Sequence, residues 1–137
     1  MLFISCNHTA KSGNRLELSY DIERLDSSSE QTVKNWKGYR DLENNMKLIC
    51  NTNALNAVTF KDALKKNIAH MREEIPSTLQ NNAVKEEING MDDKVSSFCS
   101  DIKDDELDQE TVEEHLSEIM DAFEALNIAI NKAVASS

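Results

Sequence analysis

The sequence predicts an all-α protein, an antiparallel up-down bundle of helices. Glycine and proline, which the turns of a sheet protein need, total only 3 and 1 in 137 residues. Aromatic residues, which strands favour, make up 5%. Apolar residues instead recur every three or four positions over most of the chain, which is the spacing of one helix face. The length suits one domain with a single core.

The predicted bundle domain covers residues 16–137, and residues 1–15 are predicted to lie outside it. Residues 7–15 are polar, contain a Ser-Gly pair and show no periodicity, which is typical of a tether.

Residues 16–25 carry two patterns at once. Every second residue from Leu16 to Ile22 is apolar, as in a strand, whereas Leu18, Ile22 and Leu25 have helical spacing. Because a single strand has no partner in a helical protein, we expect a helical turn or an ordered lead-in segment.

The first long helix is predicted over residues 28–51. Ser27 followed by Glu30 has the spacing of a capping box, and the cluster Asn51-Thr52-Asn53 marks the predicted end. Gly38 weakens the helix without ending it. Its apolar stripe consists of Val33, Trp36, Tyr39, Leu42, Met46 and Ile49.

The second and third helices are predicted over residues 58–75 and 82–103, with a break at 76–82. Pro76 lacks a backbone N–H and costs about 3 kcal/mol inside a helix. Continuing the apolar spacing of the second helix predicts an apolar residue at position 89, whereas the sequence has Ile88. The apolar positions therefore shift by one residue across the break. The alternative is a three-helix coiled coil in which 58–103 is continuous, about 68 Å long.

The last helix is predicted over residues 108–135, after an acidic loop at 103–107, with Asp108 as its cap. Its apolar stripe consists of Leu116, Ile119, Phe123, Leu126 and Ile130. Four helices of similar length with short connections favour an up-down four-helix bundle.

The charge argues against nucleic-acid binding. The formal net charge is −10, and most of it lies between Asp101 and Glu118, where Lys103 is the single base. A phosphate backbone would be repelled by this segment. No apolar run approaches the roughly 18–20 residues that span a bilayer, so we expect no transmembrane helix.

The N-terminal stretch Leu2-Phe3-Ile4-Ser5-Cys6 resembles a bacterial lipobox, with apolar residues and then a small residue directly before cysteine. The Cys-Asn start followed by a polar tether is similar to lipoproteins of the Bacteroidetes. The resemblance implies a lipid on Cys6 and a truncated signal peptide whose basic and apolar part lies upstream. The alternative is an apolar N-terminus that packs on the bundle.

Three cysteines are present, and lipidation of Cys6 would leave Cys50 and Cys99 as an even pair. The ends of the first and third helices lie on the same side of an up-down bundle, so a disulfide between these two cysteines is a geometric possibility. The alternative is that both are buried free thiols.

The motifs of the common helical metalloenzymes are absent from the sequence. Two His-x-x-Glu pairs, His70/Glu73 and His115/Glu118, flank the apolar stripes, and we interpret them as solvated residues. The acidic run does not fit a calcium loop, because Lys103 and Val112 occupy ligand positions. We predict no catalytic, cofactor-binding or metal-binding residues.

These observations lead to three hypotheses. The first is a non-enzymatic, lipid-anchored protein of the cell envelope, periplasmic or at the outer membrane, whose bundle binds a protein partner or small ligand. The second is a cytoplasmic helical interaction module. The third and least favoured is a metal-binding bundle.

Overall fold

A computed structural model describes residues 15–103, 105 and 107–137. Within these residues the chain is helical and forms no strand, which confirms the predicted all-α class. The α-helices are α1 (Ser27–Val33), α2 (Lys37–Ile49), α3 (Ala54–Ala57), α4 (Lys61–Glu73), α5 (Asn82–Asp101) and α6 (Gln109–Ala135). Two short 3₁₀ turns, Val58–Phe60 and Ser77–Leu79, precede α4 and α5.

The helices enclose one hydrophobic core. α5 packs on α6, α2 packs on α4, and α4 packs on α5, while the short α1 packs on α6. The apolar stripes predicted from the sequence supply most of the buried side chains. No helix in the described ranges is both long and apolar enough to cross a membrane.

The prediction of one continuous helix over 28–51 is wrong, because the chain breaks between α1 and α2. Trp36 has non-helical backbone angles (φ −87°, ψ 86°), and its side chain is only 2% exposed. The indole Nε1–H donates to the backbone carbonyl of Met71 in α4 at 3.1 Å. This tertiary hydrogen bond satisfies a buried donor, and the break allows α2 to follow α4 while α1 follows α6.

The predicted capping box at the start of this segment is also wrong. Asp26 occupies the N-cap position of α1, Ser27 is already helical, and no side chain caps the first turn.

The predicted break at 76–82 is confirmed, and a helix continuous over 58–103 is not observed. α4 ends at Glu73, and Pro76 precedes the 3₁₀ turn. Asn81 then caps α5, because its side chain accepts a hydrogen bond from the Val84 N–H at 2.9 Å. The cap predicted at Asp108 is confirmed in the same way by a 3.2 Å bond from the Thr111 N–H.

Residues 15–26, which we name the strap, adopt neither a helix nor a strand. The helical turn expected here is therefore wrong, and the ordered lead-in segment is correct. Leu16 is buried, and Leu18, Tyr20 and Ile22 are half-buried, while the residues between them are exposed. This alternation is typical of an extended chain that lies on an apolar surface.

α2 and α4 approach each other so closely at Gly38 that no side chain fits. A Cβ atom on Gly38 would lie 2.4 Å from the backbone N of Met71 and 2.8 Å from the backbone C of His70. Both atoms belong to the backbone of a packed helix and cannot move aside independently. Gly90 in α5 differs, because its nearest such atom is the end of the Glu87 side chain at 3.9 Å.

We predict that Gly38→Ala lowers the free energy of unfolding by about 1–3 kcal/mol, the usual cost of overpacking a close contact. The matched control Gly90→Ala should raise it by about 1 kcal/mol, because alanine favours the helix and meets no neighbour. Urea denaturation followed by circular dichroism measures both changes. Equal effects of the two substitutions would contradict the close contact between α2 and α4.

Candidate functional site: the groove between α2 and α6

The candidate site is the groove between α2 and α6. Aromatic and sulfur-containing side chains from these two helices and the residues next to them contact one another at its floor. The ring of Tyr39 stacks on Phe123 with centroids 5.4 Å apart, and the ring of Trp36 stacks on Tyr39 with centroids 5.7 Å apart. Further along, Cys50 Sγ lies 3.3 Å from Met120 Sδ. The strap contacts both helices: Glu23 bonds Glu124 and Asn127 of α6, and the ring of Tyr20 faces Lys47 of α2.

Side chains of α6 accept hydrogen bonds from the backbone of the strap. The three bonds run from Glu17 N to Glu113 Oε2 (2.5 Å), from Glu23 N to Glu124 Oε2 (2.7 Å) and from Asp26 N to Asn131 Oδ1 (2.9 Å). Neighbouring strands would normally accept such bonds. Carboxylates and an amide take that role here, so an extended segment is accommodated in a helical protein.

Amide side chains of α6 also donate to the carbonyls of the strap. The bonds run from Asn127 Nδ2 to Glu23 O (2.9 Å), from Asn131 Nδ2 to Arg24 O (3.0 Å) and from Gln109 Nε2 to Arg15 O (3.4 Å). Asn131 therefore bonds both an N–H and a C=O of the strap, as a neighbouring strand residue would.

Asn127 connects the strap to the floor of the groove. Its side chain is 3% exposed, and its Oδ1 accepts a 2.7 Å hydrogen bond from the Tyr39 hydroxyl while its Nδ2 donates to Glu23. A carboxylate at this position could not donate, and an aliphatic side chain could do neither. Burial is the main cause that raises the pKa of Tyr39 above its usual range, so the hydroxyl keeps the proton that it donates.

The lengths of the strap and of α6 match. The 11 residue steps from position 15 to position 26 span at most about 36 Å, and a tight turn in which the Asp21 N–H donates to the Ser19 carbonyl at 2.9 Å shortens this span. Their partners at positions 109 and 131 are 22 steps apart, about 33 Å along a helix. The strap thus follows nearly the whole of α6, in the same direction. At its start the Leu16 N–H donates to the Thr52 carbonyl at 2.8 Å, next to the end of α2.

A cleft of about 410 Å³ opens beside the middle of the strap. We call it the strap cleft; it is lined by residues 20–25 together with Glu30, Glu43, Lys47 and Asn127. The volume lies within the range of small-ligand sites. Four acidic side chains and two basic ones line it.

One edge of the strap cleft is formed by Tyr20 and Lys47. The ammonium of Lys47 lies 5.7 Å from the centroid of the Tyr20 ring, a cation–π distance, and 3.9 Å from Glu43. Burial, and secondarily the charge of Glu43, raise the pKa of Tyr20 above its usual range. The phenol therefore stays neutral and can donate a hydrogen bond to a molecule in the cleft.

Of the residues predicted from the sequence as sites, Cys6 lies outside the described residues. Cys50 and Cys99 are free thiols in different surroundings. Cys50 is buried against Met120, whereas Cys99 is half-buried and lies 3.8 Å from the backbone carbonyl of Lys61. The disulfide between them stays a prediction.

Burial raises the pKa of Cys50 to about 11. The pKa of Cys99 is also raised, mainly by burial, although Lys65 and Lys61 oppose the shift. Both side chains are thiols rather than thiolates at neutral pH, and thiols are weak nucleophiles and weak metal ligands.

The two His-x-x-Glu pairs lie apart from the groove. His70 is exposed on α4, and His115 on α6 lies 3.6 Å from Asp101 and beside the ring of Phe98. Over the described ranges, histidine, cysteine and carboxylate side chains form no group of three that could hold a metal ion.

Comparison of the chain with protein-family models, with curated proteins and with solved structures finds no match in any of the three.

The residues of α6 that bond the strap were not predicted from the sequence. One signal was available, since Asn127 lies four residues after Phe123 and three before Ile130, within the apolar stripe of the helix. A polar side chain at a core position requires a hydrogen-bond partner. The partner could not be identified, because Glu23 and Tyr39 are 104 and 88 residues away along the chain.

Proposed function

We propose that this protein is a non-enzymatic helical bundle that binds a small ligand or a protein partner at the strap cleft. The single observation that carries the proposal is the cleft itself. It is of ligand size, it is lined by the strap, α1, α2 and α6, and six of its lining side chains are charged.

We further propose that α2, α4, α5 and α6 form an up-down antiparallel four-helix bundle. The side chain of Lys61, the first residue of α4, bonds the carbonyl of Ile102 just beyond α5, whereas Arg72 near the end of α4 lies 3.1 Å from Asp92. Opposite directions of these two helices account for both contacts.

The neighbouring helices support the same arrangement. Lys94 of α5 pairs with Glu118 of α6 at 3.3 Å, and Trp36 at the start of α2 bonds Met71 near the end of α4. Tyr39 of α2 bonds Asn127 late in α6, whereas Cys50 after α2 contacts the earlier Met120.

The charges of the strap cleft favour a small cationic ligand. Asp21, Glu23, Glu30 and Glu43 outnumber Arg24 and Lys47, and the whole chain is strongly acidic. An approaching cation is attracted by both the local and the overall field. The ammonium of Lys47 already lies at a cation–π distance from the Tyr20 ring, so the carboxylates rather than this ring would attract the ligand.

We predict that putrescine, used as a small dication probe, shifts the backbone NMR signals of residues 20–25 and of Glu43 and Lys47 in the full chain. Succinate, of similar length and opposite charge, should leave them unchanged. Glu43→Gln should weaken the putrescine effect, whereas Glu86→Gln, a change on the exposed face of α5, should not. A putrescine response spread evenly over the acidic surface, or none at all, would refute the proposed ligand.

We also propose that the protein is a lipoprotein of the cell envelope, anchored through Cys6. The strap begins at Arg15 beside Gln109, at the end of the molecule where α6 starts. Nine residue steps from Cys6 to Arg15 would span up to about 30 Å when extended. A lipid on Cys6 would thus hold the bundle by this end while the strap cleft stays accessible.

We expect that the gene, expressed with its upstream sequence, yields a membrane-associated protein that carries lipid on Cys6. Cys6→Ser should move it to the soluble fraction, whereas Cys99→Ser should not, since only Cys6 follows a lipobox-like stretch. Fractionation and intact mass measure both outcomes. A Cys6→Ser protein that fractionates as the parent does would end the lipoprotein proposal.

The second candidate is an intracellular helical interaction module. The separate surroundings of Cys50, beside Met120, and of Cys99, beside Lys61, support it, because a protein of a reducing compartment needs no pairing of its cysteines. The same fractionation distinguishes this candidate, since it predicts a soluble protein with all three thiols free and no lipid.

A further inference from the structure

One primary ammonium already lies at the strap cleft, and it belongs to the protein itself. The Nζ of Lys47 is 5.7 Å from the centroid of the Tyr20 ring and 3.9 Å from the carboxylate of Glu43. All three residues line the cleft. Because Tyr20 belongs to the strap and Glu43 to α2, this ammonium interacts with two different elements of the cleft.

The two partners of Lys47 form a position for one ammonium, which we name the ammonium site: the face of the Tyr20 ring and the carboxylate of Glu43. Carboxylates and aromatic faces are groups that hold ammonium ions in proteins. The side chain of Glu43 is only 23% exposed, so water and salt screen its attraction for a cation less than at the open surface.

Lys47 is held only weakly at the ammonium site. Its side chain is 52% exposed, and several rotatable bonds must be ordered to keep the ammonium in place. Glu43 and Lys47 are four residues apart on one helix, and exposed pairs of this kind contribute little to stability. A free ammonium compound can therefore take the site while the Lys47 side chain turns into solvent.

We propose that Lys47 is an intramolecular competitor of the ligand, and that a primary ammonium of the ligand displaces the ammonium of Lys47 from the ammonium site. The inference rests on the proposed function, because it takes the strap cleft as the binding site of a small cation. It narrows the ligand class to compounds that carry a primary ammonium, which is the group that the site already holds.

The displacement also changes the charge of the cleft. While Lys47 is in place, four acidic and two basic side chains line the cleft. Once Lys47 has turned outward, Arg24 is the one base left among the lining residues, so the attraction for the incoming cation rises. Lys47 therefore lowers the affinity of the cleft for a cation, whereas Glu43 raises it.

The test compares putrescine binding by the full-length parent, Lys47→Gln and Arg24→Gln, measured by NMR titration in about 0.15 M salt. Both substitutions remove one positive charge from the lining of the cleft. We expect Lys47→Gln to lower the Kd about fivefold, since putrescine no longer has to replace a cation–π contact and an ion pair. Arg24→Gln should lower the Kd about twofold or less, because salt screens the general field.

A second measurement follows the Lys47 side chain in the parent protein. The ring current of Tyr20 should move the ε-methylene proton signals of Lys47 upfield, and saturating putrescine should return them toward the values of a free lysine. Lys37 is the matched control, since it pairs with Asp41 four residues further along the same helix at 2.7 Å. Its ε-methylene signals should not respond.

The two measurements separate failure of the competition from failure of the proposed ligand. The competition would be overturned, with the proposed ligand intact, if putrescine binds the parent but Lys47→Gln gains no more affinity than Arg24→Gln, or if the Lys47 signals stay unchanged at saturation. Absence of binding by both the parent and Lys47→Gln would refute the proposed ligand and the competition with it.

Discussion

The side-chain amide of Asn127 is the interaction on which the arrangement of the N-terminal third depends. Buried in α6, it accepts from the Tyr39 hydroxyl and donates to the Glu23 carbonyl. Loss of either partner would leave a buried polar group without a hydrogen bond, which costs about 1–3 kcal/mol. One side chain thus fixes α2, α6 and the strap relative to one another.

α6 has two distinct surfaces, and both are needed. Its apolar stripe packs on α5 and fills the core, while a row of acidic and amide side chains along its edge bonds the strap. Because those side chains satisfy the main-chain groups of an extended segment, the protein contains an ordered extended element without forming a sheet. The strap cleft exists because this element bridges α2 and α6.

The close contact between α2 and α4 constrains the opposite side of α2. Gly38 allows the two backbones to meet, and the indole of Trp36 bonds the same turn of α4. The chain breaks immediately before α2, at Trp36, and α2 follows α4 while α1 packs on α6. The direction of α2, and hence the width of the groove that it forms with α6, therefore depends on these two neighbouring residues.

The sequence was sufficient to predict α5, α6 and the break at Pro76, because periodicity, proline chemistry and capping residues are local properties. The sequence was insufficient to predict the break at Trp36. The apolar stripe continues in register across this break, and the break accompanies a hydrogen bond from Trp36 to Met71 of another helix. The strap was recognisable as ordered, and its alternation was visible. Its extended conformation could not be predicted, because the side chains that accept hydrogen bonds from its backbone lie about a hundred residues further along the chain.

Within the candidate site, no local pattern indicated the strap cleft, whose lining comes from the strap, α1, α2 and α6. The acidic character of the chain led only to the expectation that nucleic acid is not a partner. Asn127 was visible as a polar residue at a core position, but its role required the tertiary structure.

Amide hydrogen exchange, resolved by NMR, measures directly whether side chains of α6 hold the backbone of the strap. We predict slow exchange at Glu17, Glu23 and Asp26, whose N–H groups donate to α6 side chains, and at Leu16, which donates to Thr52. The exposed residue Ser19 between them should exchange faster. Rapid exchange at all of these positions would contradict the account, because it would mean that side chains of α6 do not hold the backbone of the strap.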